Sequence, residues 1–143
     1  MGKYDCIRLE NQLCFPLYAV SKEVVRRYKP ILDKLDLTYT QYIVMMVLWE
    51  KKQTNVKELG RCLYLDSGTL TPLLKKLEQK GYIERKRSEE DERNLIVHIT
   101  EDGMKLQDRA LEVPGQIGRC INLSPEESRQ LYELLYKLLD SIG

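Results

Sequence analysis

Cys14 lies in the run Leu13-Cys14-Phe15-Pro16-Leu17-Tyr18, and the chemistry open to its thiol depends on what surrounds it. The thiolate is the nucleophile, and phenolic O–H donors aimed at sulfur stabilise that charged form. Nine tyrosines against one phenylalanine make the chain rich in such donors. Tyr18 follows Cys14 by one helical turn on the same face. Tyr28 points within about 40° of the Cys14 direction but lies about 21 Å further along the axis, out of reach within one straight helix. Two copies of this helix packed antiparallel across a two-fold axis would bring Tyr28 of one chain toward Cys14 of the other. Tyr39, in the loop or first turn beyond, would follow it. A thiolate so placed attacks the distal oxygen of a peroxide and becomes a sulfenic acid. Leu13, Phe15 and Leu17 beside it favour a greasy peroxide over hydrogen peroxide. On residue types alone Cys14 also fits a packed core thiol, with the tyrosines as interface aromatics whose hydroxyls need partners.

These side chains must be carried by helices. From Leu9 the apolar residues Leu13, Leu17, Val20, Val24, Tyr28, Ile31 and Leu35 recur every three or four positions, predicting one amphipathic helix over about 9–35. Pro16 disturbs it: lacking an N–H, it leaves the Gln12 carbonyl without a helical partner, so the helix is kinked there or starts late. At the other end Ser124-Pro125-Glu126-Glu127 is a capping box with proline at the first helical position. It opens a helix with Leu131, Leu134, Leu135, Leu138 and Leu139 on one side, too short for a coiled coil. Thr100 to about Asn122 reads as another helix, bent or broken around Pro114-Gly115. Leucine stripes of this width need burial, and the same helices of a second copy are the simplest cover, giving a two-fold dimer.

Leu59 to Thr100 reads as two short helices with a cap between them, followed by a charged hairpin. Leu70, Leu73, Leu74 and Leu77 make one core-facing stripe. Gly68, Pro72, Lys75 and Gln79 lie opposite, flanked by Thr69, Thr71 and Lys76. Small groups, hydroxyls and cations suit a DNA groove, where they approach base edges and neutralise phosphates. An ordinary amphipathic helix fits that segment nearly as well. Lys80-Gly81 then stops the helix, and Tyr82 to Arg87 and Asn94 to Ile99 read as strands joined by the turn Ser88-Glu89-Glu90-Asp91-Glu92. Such a hairpin is a wing. Leu95, Val97 and Ile99 alternate inward, while Arg85, Lys86, Arg87 and Arg93 gather at the open end, where a phosphate backbone or minor groove can lie.

Composition sets the frame. With 143 residues, 43% of them apolar, one compact domain is expected, mainly α with a small β-hairpin wing. No apolar run approaches the roughly 18 residues needed to span a bilayer and no signal-peptide pattern opens the chain, so a cytoplasmic protein without a membrane partner is expected. Net charge is only +1, but Lys75 to Arg87 sets six lysines and arginines against two glutamates. Positive potential is thereby concentrated beside the candidate recognition helix. Cys6, Cys14, Cys62 and Cys120 form no C-x-x-C pair and His98 is the sole histidine, so neither a metal site nor a cofactor is expected. In a reducing compartment the thiols are free at rest. Cys62 reads as a small buried group between helices, and Cys6 lies in a terminal tail.

Asp91-Glu92-Arg93, followed by Leu95 to Ile99 and Thr100-Glu101-Asp102-Gly103, resembles the wing and next helix start of the MarR-type winged helix-turn-helix repressors. The resemblance implies that the helix matching Asp66 to Lys80 enters the major groove and that the arginine matching Arg93 reaches the minor groove, steadied by Asp91. Ser67, Thr69, Thr71, Pro72, Lys75, Lys76, Arg85 and Arg87 complete the implied DNA-binding set. Leu9 to Phe15, Leu17-Tyr18-Ala19, Tyr28 to Asp33, Thr38-Tyr39 and Leu65 to Pro72 are similar to the organic hydroperoxide sensing, OhrR-like branch of that family, and this likeness runs through nearly the whole chain. It places Cys14 at the peroxide-sensing position, with Tyr18 beside it and Tyr28 and Tyr39 holding the sulfur from the other subunit. Members of this branch finish the reaction with a small cellular thiol or with a second cysteine near the C-terminal dimer helices. Cys120 lies in the region for the second route, and equally fits a plain helix cysteine.

Together these readings describe a winged helix-turn-helix over about 38–103, with dimerisation helices over about 9–35 and 104–142. The expected protein is a homodimeric repressor that holds a palindromic operator in double-stranded DNA when Cys14 is reduced and is released by organic hydroperoxides. Two alternatives stay open: a MarR-type repressor released by a small apolar or phenolic ligand, and a thiol peroxidase using Cys14 catalytically.

Overall fold

A computed structural model describes residues 2–91 and 93–143; Glu92, expected in the wing turn, lies outside the described residues. Two 3-10 turns, Asp5–Ile7 and Leu9–Asn11, precede α1 (Cys14–Asp33). Then follow α2 (Tyr39–Lys51), β1 (Gln53–Asn55), α3 (Val56–Leu63), α4 (Ser67–Gln79), β2 (Ile83–Arg87), β3 (Leu95–Ile99), α5 (Glu101–Ala110), α6 (Val113–Gly118) and α7 (Pro125–Ile142). The first helix thus starts at Cys14 rather than Leu9. Pro16 becomes its third residue, a position whose N–H has no intrahelical acceptor to lose. The arm before it is held by its own amides: Gln12 Nε2 donates to the Arg8 carbonyl at 2.7 Å, and Asn11 Nδ2 to the Asp5 carbonyl at 2.7 Å.

The core gathers around α2, which buries Gln41, Tyr42, Val44, Met45, Leu48 and Trp49 and so is apolar on nearly every side. That is why periodicity did not announce it. A capping box starts it, with Thr38 Oγ1 accepting from the Gln41 N–H and Gln41 Oε1 from the Thr38 N–H. Leu59 from α3, Leu70, Leu74 and Leu77 from α4, Ile83 and Val97 from the sheet, and Leu106 from α5 close over it. Each such side chain contributes roughly 1.5–3 kcal/mol on burial. Trp49 Nε1 donates to the Gly103 carbonyl at 2.8 Å, fixing α5 on α2. Gly103 has no room for a side chain, since a Cβ would lie 2.3 Å from the Tyr82 carbonyl.

The sheet has three antiparallel strands in the order β1-β3-β2, one more than the hairpin expected. β1 is three polar residues long, Gln53 to Asn55, paired with Ile96 to His98. Such a strand carries no alternation to read. The helix expected from Thr100 to Asn122 breaks at Leu111-Glu112 into α5 and α6. Pro114 then falls in the first turn of a new helix. The terminal elements are the least covered: α1 buries only Leu32, and α7 buries nothing.

Candidate redox and nucleic-acid site

Cys14 is exposed at the first residue of α1. Tyr18, one turn on, is also exposed. Fourteen residues after Cys14 on the same helix, Tyr28 packs on Tyr39 with ring centroids 4.7 Å apart. Tyr42, which sequence reasoning missed, completes the cluster at 5.9 Å from Tyr28 and 6.4 Å from Tyr39, and leans edge-on against Trp49 at 6.2 Å. Only its place one turn after Tyr39 could have signalled it. Burial, and then the neighbouring phenols Tyr39 and Tyr42, push the Tyr28 hydroxyl up to about 12. Burial also raises Tyr39, and burial and then Tyr39 raise Tyr42. At neutral pH these phenols are therefore hydrogen-bond donors, as a thiolate acceptor requires. One chain brings Tyr28 and Tyr39 together but leaves Cys14 about 21 Å and Tyr18 about 15 Å away along α1.

Around Cys14 and along α7 lies uncovered hydrocarbon. Leu13 is 85% exposed, Leu134 62% and Ile142 75%, with Phe15, Leu17, Val20 and Leu131 exposed as well. Exposed apolar side chains in such number on each element mark interaction faces. Cys120 is exposed in the turn after α6. Cys62, expected to be buried, is exposed on α3, with Lys51 Nζ at 3.5 Å and Glu58 Oε1 at 3.8 Å from its sulfur. It lies about 60° around α3 from the buried Leu59, turned toward the Glu58 carboxylate rather than into the core.

The second half of the site is α4 and the wing. The Asp66 side chain caps α4 by accepting the Thr69 N–H at 2.7 Å, and that bond holds its carboxyl below the usual carboxylate range. Gly60 permits the tight approach of α3 to the turn before α4, because a Cβ there would meet the Leu65 carbonyl at 2.6 Å. With Leu70, Leu74 and Leu77 buried, α4 turns Ser67, Thr69, Thr71, Pro72, Lys75 and Lys76 outward. The Thr71 hydroxyl donates to the Ser67 carbonyl at 2.8 Å, leaving its oxygen free to accept.

At the wing tip Ser88 N–H donates to the Asn94 carbonyl at 2.8 Å, and Asp91 Oδ1 accepts the Arg93 N–H at 3.0 Å. Asp91 thus sets the backbone from which the exposed Arg93 projects; Arg87 is exposed beside it. Arg85 does not join them at the open end. It sits mid-strand opposite Val97, and Glu78 on α4 accepts its Nη2 at 3.0 Å and its backbone N–H at 2.9 Å. Those two bonds hold the Glu78 carboxyl below its ordinary range. The alternation that aimed Arg85 outward on paper turns it toward α4 in the fold, so it braces wing against helix. A groove of about 1310 Å³ runs between α3, the start of α4, the wing and the end of α7, lined among others by Tyr64, Asp91, Arg93 and Leu139. Cys14, Tyr28 and Tyr39 do not line it.

A capped helix with an outward face of hydroxyls and cations, set beside a three-stranded wing, is the reading head of a winged-helix DNA-binding regulator. Comparison with known proteins agrees. Residues 26–110 match the family described as transcriptional regulator SarA/Rot. The organic hydroperoxide resistance transcriptional regulator of Bacillus subtilis (strain 168) is 52% identical over 141 residues, covering 99% of this chain and 96% of that protein. AbfR of Staphylococcus epidermidis has been solved reduced and bound to DNA (38% identity, TM-score 0.78, covering 95% of this chain and 96% of that one). It has also been solved overoxidised and bound to DNA (37%, 0.79, 99% and 100%), and in a disulfide form (38%, 0.66, 96% of each). The chain belongs to the MarR-type winged-helix transcriptional regulators, in the branch of the organic hydroperoxide resistance regulators.

Proposed function

We propose that this chain is a homodimeric transcriptional repressor that binds palindromic operator DNA while Cys14 is reduced and is released when an organic hydroperoxide oxidises Cys14. One observation carries the reading: an exposed thiol heads the helix whose far end carries the Tyr28–Tyr39 phenol pair, and the apolar faces of α1 and α7 are uncovered. A second copy laid across those faces, with α1 antiparallel to α1, gives each Cys14 two phenolic donors from the other subunit and covers the hydrocarbon. Residues of about 9–35 and 104–142 are the dimerisation helices in this arrangement, and about 38–103 the DNA-reading part of a single domain. Ser67, Thr69, Thr71, Pro72, Lys75 and Lys76 face the major groove, Arg93 and Arg87 the minor groove and backbone, with Asp91 and Arg85 as braces.

The chemistry balances simply. The Cys14 thiolate attacks the distal peroxide oxygen, the O–O bond breaks, the alcohol leaves with a proton, and a sulfenic acid remains. A second thiol then forms a disulfide and releases water. Overoxidised AbfR is bound to DNA, so oxygen added to sulfur is compatible with an occupied operator in that relative. We therefore assign release here to the disulfide or thiol adduct, which inserts a crosslink or bulk at the seam. Cys120 of the other subunit is the candidate partner, provided the Cα atoms come within about 7 Å. A change of a few kcal/mol suffices, since each 1.4 kcal/mol is about tenfold in affinity. The protein consumes one oxidant per subunit and is a sensor rather than a peroxidase. No described helix is long and apolar enough to cross a membrane; we place the protein in the cytoplasm, with the DNA it reads.

The test compares wild type with Cys14→Ser on a duplex selected by reduced wild-type protein from a random-sequence pool. The variant keeps wild-type affinity and no longer lets go on treatment with cumene hydroperoxide. Release of Cys14→Ser at wild-type doses would refute the assignment.

A further inference from the structure

The turn between α1 and α2 is gripped by cations from two other elements. Lys80, the C-terminal cap of α4, donates to the main-chain carbonyl of Asp36, lies 3.5 Å from the Asp36 carboxylate, and donates to Gln41 Oε1 at 3.2 Å. Arg109 on α5 donates to the Lys34 carbonyl. Both cations sit where α1 ends, and the negative end of a helix dipole favours them there. Gln41 is 3% exposed, and its Oε1 also accepts the Thr38 N–H that closes the cap of α2. Two donors use both lone pairs of that oxygen. Losing Lys80 would leave one unsatisfied in a buried setting, which costs more than the bond itself contributes.

Lys80 joins two places that matter. On one side Gln41 stands two residues after Tyr39, in the same first turn of α2, and Tyr39 stacks on Tyr28. On the other side the chain reverses at Gly81, whose φ is +84°. The Gly81 carbonyl accepts the Thr100 hydroxyl at 2.6 Å, and the Tyr82 carbonyl accepts the Thr100 N–H at 3.0 Å. From this joint α4 runs one way and β2 the other. The ammonium is not a spare phosphate contact, because three acceptors already face its three N–H donors. An exposed lysine–aspartate pair alone would contribute little. Here the Lys80 side chain is only 27% exposed, and two of its acceptors are fixed in a turn and a helix cap.

We propose that Lys80 is the positioning residue through which the sensor end of the molecule sets the recognition helix and wing: its ammonium ties the α1–α2 turn, beside the Tyr28–Tyr39 pair, to the joint from which α4 and β2 depart. The inference rests on the redox-repressor reading above and names the link that reading requires. A displacement of α1 or Tyr39 on oxidation carries the turn, and Lys80 carries α4 with it. Without the ammonium the turn can move while α4 stays.

The test uses full-length protein and the selected duplex at fixed salt, measuring Kd before and after one equivalent of cumene hydroperoxide, with Cys14 oxidation followed by mass. In Lys80→Met, which keeps most of the apolar stem, Cys14 oxidises at the wild-type rate, but the ratio of oxidised to reduced Kd falls at least about tenfold, within the usual span of allosteric coupling. Lys80→Arg restores most of the ratio. Asp36→Asn tolerates the left-handed backbone there and removes only the carboxylate charge, so it gives a graded loss even if Lys80→Met folds poorly. An unchanged ratio in Lys80→Met overturns the proposal. So does equal weakening of both states, the mark of a merely structural role. Failure of wild type itself to leave the duplex once Cys14 is fully converted to the disulfide or thiol adduct sinks the redox reading, and this proposal with it.

Discussion

Replacing Lys75 and Lys76 together by glutamine tests whether the outward face of α4 lies on phosphates. Both lysines are exposed, and among the described residues neither is paired with a carboxylate, so their charge is available to a polyanion. A dimer loses four cations. If each releases a counterion on binding, the slope of log K against log salt becomes shallower by about 0.9 per contact, or about 3.6 in all. Between about 50 and 200 mM salt the wild type then loses roughly a hundredfold more affinity than the variant. Glutamine is close to lysine in helix propensity, so the fold is little changed. Fluorescence anisotropy with the selected duplex across a salt series reads the slope, and thermal unfolding checks the fold. Arg85→Gln is the internal control: its head is already paired with Glu78, so the salt slope stays near wild type while the wing loosens. A slope unchanged in the double variant, or flattened as much by Arg85→Gln, would show that α4 is not the phosphate-facing element.

Three further outcomes follow from the same geometry. Cys120→Ser still loses its Cys14 thiol to cumene hydroperoxide but gives no crosslinked dimer on a non-reducing gel; a persisting crosslink excludes Cys120 as the second thiol. In an alkaline titration followed by phenolate absorbance, Tyr28, Tyr39 and Tyr42 ionise above the ordinary tyrosine value of 10, with Tyr28 near 12. Because the folded state holds these protons more tightly, stability is full below the ordinary value of 10 and declines as pH rises from there through about 12. A shallower decline in Tyr28→Phe is the check, and an unchanged decline would count against it. Gly60→Ala gains helix propensity, yet its Cβ would meet the Leu65 carbonyl at 2.6 Å. The clash wins, lowering stability by about 1–3 kcal/mol in urea unfolding, whereas a stabilised variant would show that the α3–α4 turn yields.

What could be read from the order of residues was whatever depends on local pattern. The leucine stripe of α4, the capping box at Ser124 and the stop at Gly81 each act within a few residues, so each is visible in the string and each is present in the fold. The alternation expected of β3 is only partly there, since Val97 alone is buried and its four neighbours in the strand are all half-buried. Proline had two outcomes in the sequence, a kink or a late start, and the chain takes the late start at Cys14 because the first turn of a helix leaves N–H groups unpaired in any case. The charges at Arg85 and Lys80 look alike on paper. Only packing separates them from Lys75, by bringing Glu78 to one and Asp36 with Gln41 to the other.

The same division holds for the proposed redox centre. Residue types supplied a nucleophile and its donors, and helical arithmetic alone showed that Cys14 and Tyr28 are too far apart to meet within one chain. Which phenols stand together was decided by tertiary contact: Tyr42 joins Tyr28 and Tyr39 because α2 crosses α1 at that point, and burial there keeps all three protonated. Short polar β1, the all-round apolar α2 and the grip of Lys80 left no trace in periodicity for a simple reason. Their stability comes from partners distant in sequence, and a pattern within one segment carries no information about what will be laid against it.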